Sequence, residues 1–240
     1  MRDSTVIVEV LVFDGCPHAE SAMELARGVA ERLGPGSSVT PIDVDGDEKA
    51  AALGFLGSPS IRVNGEDVEG RATTLGSRCC RTYAGGAGLP PEWLVEAAVL
   101  RALPPRGILF LCVANSARSQ MAEGIARVLL PAEMKVWSAG SRPTRVRPEA
   151  IAVLREVGID ISGHRSKAVA EVPAAEVDTV ITLCGEEECP VFLSNVRRLH
   201  WGLPDPAVAA PGASPGDVLA GFRAVRDELR LRIGRLRESR

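Results

Sequence analysis

The chain has 240 residues, 45% of them hydrophobic and 25% charged, with a formal net charge of −3. These values suit a soluble globular protein and exclude a low-complexity or fibrous one; nothing in the charge balance favours nucleic acid or an anionic membrane as partner. The length suits two domains, each able to build its own core.

Residues 1–5 run straight into a strand pattern, so no leader peptide is expected, and no apolar run approaches a membrane span. A reducing cytoplasm is the expected compartment. The cysteines, at 16, 79, 80, 112, 184 and 189, then read as reactive thiols or metal ligands, not as a disulfide frame.

Along the first half, residues 6–13 form a β-rich run. Residues 18–33 place Met23, Leu25, Ala26, Val29 and Leu33 at helical spacing. A second strand is expected over 38–44 and a short helix over 48–55. Residues 60–63 and 66–69 flank Asn64-Gly65, the pair that favours a type I′ hairpin turn. A helix over 91–103 closes the order β-α-β-α-β-β-α. Arg101-Ala102-Leu103-Pro104-Pro105-Arg106 is the best boundary, giving domains 1–103 and 107–240.

The second half alternates again. Strands are expected over 108–112, 135–139, 177–183 and 198–201, with helices over 119–130 and 148–157. A Pro-rich loop spans 203–215, and a long charged helix opened by Ser214-Pro215 spans 214–237. Regular β-α alternation predicts an α/β domain with a parallel sheet, whose ligands bind beyond the carboxyl ends of the strands.

One of those ends carries Cys112-Val113-Ala114-Asn115-Ser116-Ala117-Arg118-Ser119. A strand, a tight loop and a helix N-terminus aim successive backbone N–H groups at one point, and the Arg118 guanidinium can grip two oxygens of a tetrahedral anion. The same positive field favours negative charge on the Cys112 sulfur, the nucleophilic form. The chemistry expected is attack on phosphate or arsenate. Cys184 and Cys189 distinguish the two. Hydrolysing a phosphoester needs one cysteine, whereas reducing As(V) to As(III) needs two electrons, which a thiol pair supplies. No second Cys/His pair with ligand spacing lies near them, which argues against zinc.

Five segments carry a resemblance: Cys112 to Gly124 (CVANSARSQMAEG), Trp137 to Gly140 (WSAG), Gly158 to Ser166 (GIDISGHRS), Val180 to Pro190 (VITLCGEEECP) and His200 to Pro206 (HWGLPDP). In that order they resemble the low-molecular-weight tyrosine phosphatase superfamily, and within it the arsenate reductase branch recycled by thioredoxin. The resemblance implies a flavodoxin-like three-layer domain. It makes Cys112 the nucleophile and Arg118 the oxyanion ligand. Ser119 would hydrogen-bond the thiolate, Asn115 would hold the loop in shape, and Asp205 would be the general acid. Cys184 would attack the Cys112 sulfur and Cys189 would attack Cys184, leaving a Cys184–Cys189 disulfide. Only four residues separate these two, fewer than the resemblance leads one to expect, and three are Glu, which disfavours a thiolate at Cys189. No bound cofactor or metal is expected; an external or fused thiol reductant, thioredoxin or a low-molecular-weight thiol, would close the cycle. The alternatives are a phosphatase acting on phosphotyrosine or small phosphoesters, and a non-enzymatic thiol sensor. Some members bind potassium through the positions of Asn115, Glu123 and Ser138; here Lys167 stands where a further acidic ligand is expected, and it is read either as an ammonium replacing the cation or as a surface residue.

Residues 5–103 resemble the thioredoxin fold through their element order, Cys16-Pro17-His18-Ala19 before the first helix, and Gly57-Ser58-Pro59-Ser60 before a strand. The resemblance implies a cis Pro59 opposite an active Cys16. The usual second cysteine is missing, and Cys79 or Cys80 can supply a resolving thiol. The competing reading is a docking or dimerisation domain with no redox role. His18 is read either as tuning Cys16 or as a surface residue.

Overall fold

A computed structural model describes residues 5–70, 79–184, 196–208 and 212–237. The chain divides into two compact units, one reaching to Pro104 and the other running from Pro105 to Arg237. Among the described residues, no helix is long and apolar enough to cross a membrane.

The first unit contains β1 (Ile7–Val12), α1 (Ala19–Leu33), β2 (Ser38–Asp43), α2 (Asp47–Leu53), β3 (Ser60–Val63), β4 (Glu66–Asp67) and α3 (Glu92–Ala102). Its sheet runs β2-β1-β3-β4, with β1 parallel to β2 and antiparallel to β3. Helix α1 buries Ala22, Ala26, Val29, Ala30 and Leu33, the face that its 3.6-residue period selects. Leu11, Val44, Ala50 and Phe55 form a core beneath α2. Asn64 and Gly65 both take positive φ, 51° and 82°, as a type I′ turn demands. The strand expected over 66–69 stops at Asp67, whose carboxylate accepts from the Glu69 N–H and so ends the ladder. The Ser58–Pro59 peptide is cis.

The second unit contains β5 (Gly107–Cys112), α4 (Arg118–Leu129), β6 (Lys135–Gly140), α5 (Pro148–Arg155), β7 (Thr179–Thr182), β8 (Arg197–His200) and α6 (Pro215–Gly234). The sheet order is β6-β5-β7-β8, with every pair parallel. All six residues of β5 are buried, as expected of a central strand with both faces covered. The strand expected over 177–183 is shorter because residues 174–176 form a 3-10 turn that delivers Val177 late. Helix α6 starts on a reciprocal cap: Ser214 Oγ accepts from the Asp217 N–H, and Asp217 accepts from the Ser214 N–H. Strand order reverses between β5 and β7. In open parallel sheets that crevice, at the carboxyl ends, is where ligands bind.

Candidate active site

Residues 113–117 turn the chain from the end of β5 into α4. No side chain caps the first turn of α4, and that turn holds no acidic residue, so its N–H groups are left for an anion. Cys112 is 4% exposed, and its Sγ lies 2.9 Å from Ser119 Oγ. Asn115 takes φ +44°, a left-handed conformation costing about 1–2 kcal/mol for a non-glycine residue. Its fully buried side chain repays that with a complete set of bonds. Nδ2 donates to Ser119 Oγ (2.8 Å) and Ser138 Oγ (2.9 Å), and Oδ1 accepts from Gln120 Nε2 (2.8 Å) and the Lys167 N–H (2.7 Å).

The loop is also held from outside. The N–H groups of Arg142, Thr144 and Arg147 donate to the carbonyls of Val113, Ala114 and Ser116 at 2.9–3.0 Å, and Ser166 Oγ donates to the Asn115 carbonyl at 2.6 Å. Four successive carbonyls are thus engaged away from the anion side. Gly140 permits this fit: a Cβ there would lie 2.4 Å from Val113 O and 2.7 Å from Asn115 N. Sequence reasoning assigned no role to Gly140, Gln120, Ser166 or residues 142–147. The one local signal was a glycine ending the strand beside the loop.

Arg118 spans the crevice. Its guanidinium donates to Leu203 O (2.9 Å), Leu183 O (3.4 Å) and Asp205 Oδ2 (3.0 Å). The expected oxyanion ligand therefore touches both the expected acid and the residue preceding Cys184. Asp205 also accepts from the Ala207 N–H, and its side chain is 42% exposed. Leu111 pairs with Thr182 across β5 and β7, and the Leu183 N–H donates to Leu111 O at 2.8 Å. Cys184, 2% exposed, thus follows two residues after β7, the strand paired with the one that ends in Cys112. Cys189 lies outside the described residues.

A second polar cluster backs the loop. Buried Glu123 accepts from Ser138 Oγ, from Arg127 and from Lys167 Nζ, the last at 3.1 Å. The Lys167 ammonium thus sits at the Asn115–Glu123–Ser138 cluster. Beside it, His164 Nδ1 lies 3.0 Å from Gln120 Oε1, and burial foremost, with Arg127 and Lys167, holds the imidazole below its ordinary pKa. Among the described residues no group of three or more His, Cys, Asp or Glu side chains is placed to hold a metal ion.

In the first unit, Cys16 is half-buried in the β1–α1 loop, while Cys79 and Cys80 are exposed. His18 is packed against Gly88: a Cβ on that glycine would meet its Nε2 at 2.3 Å.

Residues 107–239 match the family model for low molecular weight phosphotyrosine protein phosphatase. The chain belongs to that family. Within it, the chain is 42% identical over 128 residues to the arsenate reductase of Staphylococcus xylosus, covering 52% of this chain and 92% of that protein. It is 42% identical over 134 residues to the arsenate reductase of Bacillus subtilis, 55% and 95% of the two. A solved arsenate reductase in its phosphate-binding state is 38% identical, with TM-score 0.47 over 53% of this chain and 93% of that one.

Proposed function

We propose that the protein is an arsenate reductase. The observation that carries this is Cys184 just beyond β7, the strand paired with the one that ends in Cys112, and next to the Leu183 carbonyl that Arg118 holds. Hydrolysis of a phosphoester has no use for a second thiol there. The relatives at 42% identity are arsenate reductases, which agrees.

The Cys112 thiolate, accepting from Ser119 Oγ, attacks arsenic held by the loop N–H groups and Arg118. A bound oxyanion competes with Asp205 for the same guanidinium. Asp205, left beside the leaving oxygen, gives it a proton, and water departs. Cys184 then attacks the Cys112 sulfur. The S–As bond breaks with its electron pair going to arsenic, so As(V) leaves as arsenite and a Cys112–Cys184 disulfide forms. Attack by Cys189 on Cys184 regenerates the Cys112 thiolate, and a thiol reductant reduces Cys184–Cys189. Lys167 takes the place of a monovalent cation behind the loop. Residues 1–103 and 107–240 act as separate modules in a reducing cytoplasm, the first a thioredoxin-like domain that is either a fused thiol donor or a docking surface. Its β2-β1-β3-β4 sheet and the cysteine between β1 and α1 support that assignment.

The test is arsenate-dependent NADPH consumption, with the thioredoxin system and low-molecular-weight thiol systems supplied separately. Turnover with one of them is expected; aryl phosphate hydrolysis without arsenate reduction under any would leave the phosphatase reading in its place.

A further inference from the structure

The first unit holds a thiol cluster that the chemistry at Cys112 does not use. The segment 79–81 runs beside Ser58 as a short parallel bridge. The Ser58 N–H donates to Cys79 O at 2.8 Å, the Arg81 N–H donates to Ser58 O at 3.0 Å, and Ser58 and Cys80 are the bridged pair. Paired residues share a face, and neighbours along an extended segment alternate. Cys80 therefore shares the Ser58 face, while Cys79 and Arg81 take the other.

Arg81 fixes which face is which. It is 4% exposed and donates to Asp67 (2.6 and 2.8 Å), Glu69 (2.8 Å) and Ser60 Oγ (2.8 Å), with its guanidinium 4.4 Å above the Tyr83 ring. A buried cation with that many acceptors locks the segment against sliding or flipping. A Cβ on Gly57 would stand 2.9 Å from Cys79 O and 3.1 Å from Arg81 N and Cβ, so the segment is packed closely against Gly57. The Ser58 face opens elsewhere. Ser58 Oγ accepts from the Phe13 N–H at 3.3 Å, and Phe13 O accepts from the Cys16 N–H at 3.2 Å. One hydroxyl thus ties the face that carries Cys80 to the loop that carries Cys16.

We propose that Cys16 and Cys80 form a reversible dithiol–disulfide couple, with Cys79 held on the far side of its segment. The first unit then performs thiol–disulfide exchange in its own right. The Cys16 thiolate attacks one sulfur of a substrate disulfide, forming a mixed disulfide and releasing one thiol. Cys80, losing its proton, attacks the Cys16 sulfur and releases the second. The two cysteines lose two electrons, and the substrate disulfide becomes two thiols. This concerns the first unit alone and stands or falls independently of arsenate reduction.

The experiment uses the full chain with Cys112, Cys184 and Cys189 each replaced by Ser, equilibrated across glutathione–glutathione disulfide ratios. After acid quench and alkylation, peptides are mapped without reduction. A Cys16–Cys80 linked peptide should rise as the buffer becomes more oxidising. It should persist in Cys79→Ser and vanish in Cys80→Ser, leaving Cys16 as its glutathione mixed disulfide. A dominant Cys16–Cys79 or Cys79–Cys80 link overturns the proposal, as does Cys16 carrying only glutathione at every ratio in the Cys79→Ser chain.

Discussion

At the scale of single residues, the proposed relay gives Cys112 and Cys184 separate tasks. Cys112→Ser should abolish arsenate reduction and any aryl phosphatase activity together, because an alcohol at neutral pH is a poor nucleophile. Cys184→Ser should stop arsenate turnover after the first adduct yet leave phosphate ester hydrolysis within about twofold of the parent, since only electron transfer uses it. Parallel steady-state assays separate the outcomes; loss of both activities in Cys184→Ser would make that thiol structural. Lys167 gives a second residue-scale test. With its ammonium 3.1 Å from Glu123, added potassium should change activity little. Lys167→Asp places three carboxylate or amide groups around a vacated charge, and potassium should then restore stability and activity. Strong potassium activation of the parent would remove Lys167 from that role.

At the scale of elements, the loop depends on β6 and on the segment after it. Gly140→Ala would drive a methyl into the Val113 carbonyl and the Asn115 N–H, backbone groups that have no room to yield. Overpacking of this kind costs roughly 1–3 kcal/mol, and about 2–4 °C of Tm is lost per kcal/mol at this chain size. Calorimetry and kcat/KM should fall together; an unchanged kcat/KM would mean the loop shape does not depend on this approach. A different pair of elements sets the acid limit. Glu156 follows α5 and accepts from Arg223 and Arg226 of α6, and Arg223 foremost holds its carboxyl down to about 2. A folded pKa below the unfolded one stabilises the fold above the ordinary carboxylate range, and that contribution drains away as pH falls toward 2. Glu156→Gln should therefore flatten the acid side of a Tm-versus-pH curve between the ordinary carboxylate pKa and 2. An identical acid slope would show the pair to be inert.

Across the whole molecule, what was legible in the sequence is what local pattern encodes. The Cys112–Ser119 run announces a strand-loop-helix turn because each part depends on near neighbours. The element order is legible for the same reason, with strand bounds displaced where a side chain, Asp67, ends pairing early or a 3-10 turn, at 174–176, delays its start. The supports of the site were not legible. Gln120 reads as one polar residue on a buried helix; it bonds to Asn115 five positions away, but its contacts with His164 and with the Arg165 carbonyl exist only once residues 44 and 45 positions apart meet. Residues 142–147 look like an ordinary basic connection, and only register reveals that their N–H groups close off the loop carbonyls.

That closing-off has a consequence for discrimination. A cradle already fastened on its outer side has little left to rearrange, so it greets any tetrahedral dianion of the right radius alike. Phosphate and arsenate differ too little in shape for such a mould to sort them, just as a pocket rejects a near-isostere only weakly. Phosphate should therefore inhibit arsenate turnover competitively, raising the apparent KM and leaving kcat untouched. In the proposed relay, fidelity then arises after docking, at the step where attack by Cys184 leaves an electron pair for the bound centre to accept. Arsenic(V) accepts it and departs, whereas phosphorus(V) does not and is simply let go.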